Sequence, residues 1–352
     1  MLYQMENQHG GDVYGGGITL DFSANTNPLG TPPGVLEAVC RALPRLHRYP
    51  DPYCRRLVQA IAGHEQVPAS YILCGNGAAD LIYTYCAALR PRTAAELAPT
   101  FGEYGAGLAQ VGCRVERYFM HQAQNFDLDE RFLSFLEEKK PEVVFLCNPN
   151  NPTGRLIPLP LLEQILQYCA AQGARLFLDE CFLDLTEDGV SAKSLLAAHP
   201  ELLILKAFTK SYGMAGIRLG YCLCADSALL RDMAAASPPW NVSSLAQSAG
   251  VAALEEGEFL RRTVELVRRE RGYLAGELTA LGFRVCPSQA NYLLLHGAAG
   301  LREKLLQRGI AIRGCGNYHG LDEGWYRVAV RSHGENEALI AAIRQLCREG
   351  QL

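Results

Sequence analysis

The chain of 352 residues contains no Cys-x-x-Cys pair, although it holds 13 cysteines. They are scattered singly from Cys40 to Cys347, with no zinc spacing, so neither a disulfide framework nor a zinc site is expected. The nearest two, Cys222 and Cys224, are spaced to face one side of a strand over 221–225. No stretch approaches ~18 consecutive apolar residues, which excludes a membrane-spanning helix. The opening MLYQMENQHGGDVYGGG lacks the apolar core of a signal peptide, so a reduced, cytoplasmic protein is expected. Basic charge is not in excess either: 33 Lys and Arg stand against 37 Asp and Glu, a net −4. That balance argues against a partner held by a general basic field, nucleic acid above all. Lysine is scarce, with six in all, at 139, 140, 193, 206, 210 and 304. Any amine that does chemistry comes from that short set.

What is present is enough for a large core: 49% of residues are apolar and 20% charged. At roughly 150 residues per domain, the length fits two domains, or one large α/β domain with a smaller satellite. Short apolar runs alternate with amphipathic segments, the pattern of a mainly parallel sheet between helices. Strands are expected at 71–74, 114–119, 142–147, 175–178, 202–207 and 219–223, and helices at 79–89, 129–139, 159–172 and 194–198. Beyond Val242 the pattern changes to two long amphipathic helices, 244–256 and 259–281. Short strands follow at 284–286, 292–295, 311–313 and 325–329, then a helix over 335–348. The expected organisation is an arm over 1–44, a large α/β domain over 45–255, and a smaller α+β domain over 256–352 that the arm joins.

Five segments fall at or just after the ends of expected strands, where open α/β sheets place their sites. Gly75-Asn76-Gly77-Ala78-Ala79-Asp80 opens a helix, whose free N–H groups favour an anion; alone it is more readily a plain turn. Asn148-Pro149-Asn150-Asn151-Pro152-Thr153-Gly154 follows the run VVFLC. Its prolines and glycine make a rigid turn, and its length points equally to side chains aimed at a ligand. Asp179 ends the apolar run LFLD, where a carboxylate needs a cation or strong donor; a helix cap or buried ion pair would also serve. Lys210, in Phe208-Thr209-Lys210-Ser211-Tyr212-Gly213, follows another apolar run, and desolvation there would make its amine nucleophilic. Arg218, eight residues on, is placed to clamp a phosphate. The fifth segment, Trp325 to Arg331, reads as an edge strand with Arg327 and Arg331 on one face. Arg327 there is suited to a carboxylate, although two solvated arginines are the commoner case. Together these supply an anion cradle, a neutral donor, an acid, a reactive lysine and two clamping arginines. A pyridoxal 5'-phosphate (PLP) site needs such a set.

In this order and spacing, NPNNPTG, DE-x-F, TK and R-x-G resemble the fold-type I PLP enzymes of the class I/II aminotransferase superfamily. The resemblance covers nearly the whole chain. It implies an aspartate-aminotransferase-like α/β fold: a large PLP-binding domain with a mainly parallel seven-stranded sheet sandwiched by helices, plus the smaller α+β domain. Within the superfamily the chain is similar to the histidinol-phosphate aminotransferase group and, more closely, to the threonine-phosphate decarboxylase group of cobalamin biosynthesis. The closer likeness rests on His9-Gly10-Gly11-Asp12, on the run from Asp21 to Gly30 (DFSANTNPLG), and on Ile312 to Leu321 (IRGCGNYHGL).

The resemblance also implies roles. Lys210 forms the Schiff base and Asp179 pairs with the pyridine nitrogen. Asn151 donates to the ring hydroxylate, and Tyr104 stacks on the ring. Gly77, Ala78 and Ala79, with Thr209 and Arg218, hold the cofactor phosphate. Tyr49 reaches the phosphate of a neighbouring subunit's cofactor, which implies a homodimer with shared sites. Arg327 binds the substrate carboxylate, while His9, Asn27 and Arg313 take its far end, a phosphate. Two positions depart from the wider superfamily. Ala207 stands where many relatives carry a hydroxyl, which removes a phosphate bond worth about 1 kcal/mol or somewhat more. Phe182 stands where aminotransferases place a tyrosine, and phenylalanine is the decarboxylase pattern. The implied activity is decarboxylation of L-threonine O-3-phosphate. The alternative is transamination of a phosphorylated amino compound such as histidinol phosphate. A non-catalytic ligand sensor is the third reading, but only about 20 residues precede Asp21, too few for a DNA-binding module.

Overall fold

The computed structural model describes residues 9–352. Residues 1–8, the beginning of the expected arm and of the segment lacking a signal peptide, lie outside the described residues. The strands are β1 (Leu20–Asp21), β2 (Ile72–Gly75), β3 (Thr93–Ala98), β4 (Arg114–Phe119), β5 (Val143–Cys147), β6 (Arg175–Asp179), β7 (Leu202–Ala207), β8 (Gly220–Cys224), β9 (Arg284–Val285), β10 (Tyr292–His296), β11 (Ile310–Ala311), β12 (Arg313–Gly314) and β13 (Trp325–Ala329). Seven make one sheet in the order β2-β8-β7-β6-β5-β3-β4. β8 is antiparallel to both neighbours and the other pairs are parallel.

A parallel sheet covered on both faces needs strands that are apolar throughout. VVFLC of β5 and LLILKA of β7 are accordingly buried at every position. One face is covered by helices Gly77–Leu89, Glu103–Gln110 and Ser227–Ala236, which contribute Leu81, Tyr85, Tyr104, Leu108 and Leu229 to a single apolar cluster. The opposite face is covered by helices that include Arg55–Glu65, Arg131–Lys139, Leu159–Gln172 and Ser244–Ala253. Cys222 and Cys224 point to the same side, into the first cluster. All thirteen cysteines are free thiols.

β3 is the one strand of this sheet outside the six expected from the sequence, and its sequence, TAAELA, carries little strand propensity. Its alanines are there for packing: Ala94 meets the cluster of Tyr85 and Tyr104, and Ala95 the one holding Phe132. Helices Pro33–Ala42, Arg55–Glu65, Glu103–Gln110, Ser227–Ala236 and Leu301–Leu306 were likewise not anticipated, and the expected helix over 194–198 is a 3-10 turn, Ala192–Leu195.

The smaller sheet has the order β12-β13-β10-β9. Helices Gly257–Ala280 and His333–Arg348 place Leu274, Leu278, Leu339 and Ile343 against its Leu293, Leu295, Tyr326 and Val328. β1 pairs parallel with β11, and Phe22 is buried in this same cluster. The expected strand over 311–313 divides between β11 and β12, which belong to different sheets. β13 is not an edge strand: it lies between β12 and β10 and is buried throughout, its apolar residues requiring cover on both sides. Arg331 lies beyond it and pairs with Glu335 at 2.9 Å. Among the described residues no helix is long and apolar enough to cross a membrane, and no His/Cys/Asp/Glu cluster is suited to a metal.

Candidate active site

Strand direction assembles the site. β3, β5, β6 and β7 run in parallel, so Ala98, Cys147, Asp179 and Ala207 end at one edge of the sheet. β8 enters from that edge, with Gly220 opposite Ala207, so Arg218 just before it arrives beside the Lys210 turn. A cavity of about 330 Å³ opens here, walled by segments of both sheets and of the arm. Lys210, Asp179, Asn151, Phe182, Ala78, Ala79, Thr209, Arg218, His9, Arg313 and Arg327 all line it. Gly77 lies directly behind this wall, and Ala207 is part of it.

Lys210 sits on a single helical turn, Phe208–Ser211, with Nζ 5.5 Å from the centre of the Phe182 ring. Burial, reinforced by the charges of Arg327 and Arg218, lowers its pKa to about 8. Asp179 is buried at the end of β6. Its Oδ1 accepts the Cys181 amide at 2.9 Å and its Oδ2 the Tyr104 hydroxyl at 2.6 Å. Burial nevertheless holds the carboxyl above the ordinary range. A protonated ring nitrogen against it would restore the charge balance that the surroundings withhold.

The cradle at Gly77 depends on backbone shape. Gly77 has φ +86°, and a Cβ there would stand 2.8 Å from Arg218 Nη2. Arg218 itself holds φ +59°, an uncommon conformation for a side-chain-bearing residue. The start of helix Gly77–Leu89 therefore faces a guanidinium, with Thr209 on the same wall, an arrangement made for an anion.

NPNNPTG proves to be both an elaborate turn and a ligand-facing one. Asn148 and Asn150 serve the turn: Asn148 Oδ1 accepts the Ile157 amide at 2.8 Å, and Asn150 Nδ2 donates to the Pro99 carbonyl at 3.0 Å. Asn151 faces the cavity. Its Oδ1 accepts from Arg327 Nη1 at 2.5 Å, which leaves the amide NH2 as a donor. Arg327 Nη2 donates to the Ser23 carbonyl at 2.9 Å. Among the described residues Arg327 Nε, although buried, finds no partner.

Three expected positions stand elsewhere. Tyr104 does not wall the cavity: it is fully buried behind Asp179, drawn there by its hydroxyl's bond to that carboxylate. Phe101, three residues earlier in the same segment, lines the wall instead, as do Phe182 and Tyr318. Asn27 is also buried, its Nδ2 spent on the Ser211 carbonyl (2.7 Å) and Thr263 Oγ1 (2.9 Å). Asn25, two residues earlier, lines the cavity instead, and among the described residues neither polar atom of its buried side chain has a partner. The alternation of DFSANTNPLG gave no signal to choose between the two asparagines. Tyr49 is 79% exposed and stacks on Trp240 at 4.6 Å, away from this chain's cavity. His9 and Arg313 stand together at its mouth: His9 Nε2 lies 2.7 Å from Glu103 Oε1, and Arg313 Nη2 donates to Asn317 Oδ1 at 2.7 Å.

Residues 18–344 match the family "Aminotransferase class I and II", and the chain belongs to it. It is 41% identical to the threonine-phosphate decarboxylase of Salmonella typhimurium, over 93% of this chain and 91% of that one. It is 34% identical to a histidinol-phosphate aminotransferase of Geobacillus, over 96% and 93% respectively. The crystal structure of the histidinol-phosphate aminotransferase from Clostridium acetobutylicum superposes with a TM-score of 0.88, at 27% identity, covering 94% of this chain and 99% of that one. The chain is thus a PLP-dependent enzyme. Its own residues fit the cofactor: the amine, the raised carboxyl, the free asparagine donor and the cradle that a Cβ would fill share one cavity.

Proposed function

We propose that the enzyme decarboxylates L-threonine O-3-phosphate to (R)-1-aminopropan-2-yl phosphate and CO2, a step of cobalamin biosynthesis. The observation that carries this reading is the 41% identity to the Salmonella decarboxylase over nearly the full length of both chains. Phe182 beside Lys210 agrees with it, because the ring offers no hydroxyl to the cofactor.

PLP, when bound, supplies an electron sink for the bond that breaks at the substrate's Cα. Lys210 is the amine that holds the cofactor and then stands ready to carry a proton at Cα. Asp179 keeps the ring nitrogen protonated. Ala78, Ala79, Thr209 and Arg218, with the backbone of Gly77, would hold the cofactor phosphate, Asn151 would donate to the ring oxygen, and Phe101 would supply an apolar wall. Arg327 takes the substrate carboxylate, its orphaned Nε turned to use. Asn25 supplies an amide to the same substrate, and His9 and Arg313 receive its phosphate. The anchors at the two ends of the substrate, Arg327 at one and His9 with Arg313 at the other, would set its orientation in the cavity and so choose which Cα bond breaks.

The reading includes a homodimer. Tyr49 and its stacking partner Trp240 are exposed, as are Leu43, Leu46 and Tyr53 close by in the chain; exposed apolar side chains of this kind suit a second copy, which would bring Tyr49 to the neighbour's cofactor phosphate. It also includes the division into residues 45–255 and 256–352, with the arm joined to the latter through β1 and β11.

Incubation of the pure protein with threonine phosphate tests the activity. CO2 release without a keto acid is expected. Conversion to the pyridoxamine form with release of a keto acid, reversed when 2-oxoglutarate is added and glutamate forms, would instead make it an aminotransferase like its histidinol-phosphate relatives.

A further inference from the structure

Next to the Lys210 turn lies a second group of charged side chains, none of which lines the cavity. Lys206, buried on β7, places Nζ 2.9 Å from Asp184 Oδ1 and 3.1 Å from Glu65 Oε1. Glu65, also buried, accepts from Lys193 Nζ at 2.8 Å and from the Tyr221 hydroxyl at 2.5 Å. The other oxygen of Asp184 accepts from Ser211 Oγ at 3.1 Å. Ser211 is buried and follows Lys210 directly, and its carbonyl is the acceptor held by Asn27.

Such a cluster contributes little to stability, because desolvation offsets most of the attraction between its charges. Its geometry has a clearer use. Asp179 and Lys210 leave neighbouring strands, β6 and β7, and must stand at a distance set by one small cofactor. Asp184 belongs to the segment that follows Asp179, and Ser211 to the turn that carries Lys210. Their hydrogen bond ties the two segments together. The turn Phe208–Ser211 is only four residues long, too short to hold its own shape.

We propose that Asp184 is a positioning residue: through Ser211 Oγ it fixes the turn that presents Lys210, and the Lys206–Glu65 pair holds Asp184 in place. The claim rests on Lys210 being the reactive amine. A shift of the turn by about 1 Å is enough to cost up to 100-fold in rate.

Two variants separate the parts. Ser211→Ala removes the link alone, and Asp184→Asn removes the charge that Lys206 pairs with. In the cofactor-loaded full-length enzyme, kcat for CO2 release from threonine phosphate falls about tenfold or more in both, with KM within about twofold. Ser211→Thr, which keeps the hydroxyl, restores most of the rate. A second measurement does not need turnover: the pH profile of Lys210 acetylation by acetic anhydride in the cofactor-free full chain, followed by peptide mass spectrometry. The parent profile has its midpoint near the lowered pKa of about 8, and it moves in Ser211→Ala. A lower melting temperature with kcat per bound cofactor and the acetylation profile both unchanged would overturn the proposal. If the parent releases no CO2, the functional reading fails, while the acetylation comparison still decides the role of Asp184.

Discussion

Arg327 Nη1 donates to Asn151 Oδ1 at 2.5 Å, a bond between β13 of the smaller sheet and the loop after β5 of the larger one. It orients the Asn151 amide, and it fixes the guanidinium so that Nε is the donor left over. Replacing Arg327 by lysine removes the planar fork that serves all three positions. The expected result is a rise in KM for threonine phosphate corresponding to about 2–5 kcal/mol, the range for breaking a buried charged pair. Steady-state kinetics against the parent measures it.

The cradle makes a second expectation. Gly77→Ala forces a side chain into φ +86° and against Arg218. The conformation alone costs about 1–2 kcal/mol. Cofactor affinity, measured by fluorescence titration of the apoprotein, is expected to fall by roughly tenfold or more. Gly216→Ala, with open space around it, is the control and leaves affinity unchanged.

A third concerns pH. The Lys210 amine is lowered to about 8 from an ordinary value near 10.5. Its neutral, nucleophilic form therefore accumulates as pH rises through 8. The rate at which PLP attaches to the apoprotein, followed by absorbance in stopped flow, is expected to increase with pH to a plateau above that midpoint. A rate still climbing at pH 10 would contradict it.

Glu180, the neighbour of Asp179, makes a fourth. It is fully buried, and burial raises its carboxyl to about 7 from an ordinary 4.5. Below 4.5 the folded and unfolded chains both hold the proton. Between 4.5 and 7 only the unfolded chain releases it, so stability falls as pH rises, by about 3 kcal/mol across the window. Glu180→Gln abolishes this contribution. Its melting temperature is expected to gain on the parent's from pH 4.5 to 7 and to run parallel above, as scanning calorimetry at a series of pH values will show.

The chemistry of the site was more legible in the sequence than its walls were. Lys210, Asp179, Asn151 and Arg218 could be read because each follows or precedes an apolar strand, and strand ends are visible as hydrophobic runs. Phe101 and Asn25 could not be separated from Tyr104 and Asn27. Asn25 and Asn27 lie in irregular chain, and Phe101 and Tyr104 stand on either side of the start of helix Glu103–Gln110, where no periodicity says which side chain turns inward; hydrogen bonds to Asp179 and Ser211 make the choice. β3 escaped because alanine was selected there by the closeness of helices on both faces, a demand that only the assembled layers express. The edge reading of β13 failed because β10 and β12 pair with it on both sides, and its Arg327 is buried by partners more than 170 positions away in the chain.

The pairing of Ala207 with Gly220 makes the loop between them a ruler. The chain leaves β7, presents the amine at 210, and returns past the guanidinium at 218. With the roles proposed above, the aldehyde and the phosphate of one vitamin derivative would be gauged by a single span of backbone. On the proposed roles of Lys210 and Arg218, an analogue with a longer phosphate arm is expected to overshoot the guanidinium while its aldehyde is held at the amine. Selection against such impostors thus belongs to the contour of the loop, not to any one side chain along it.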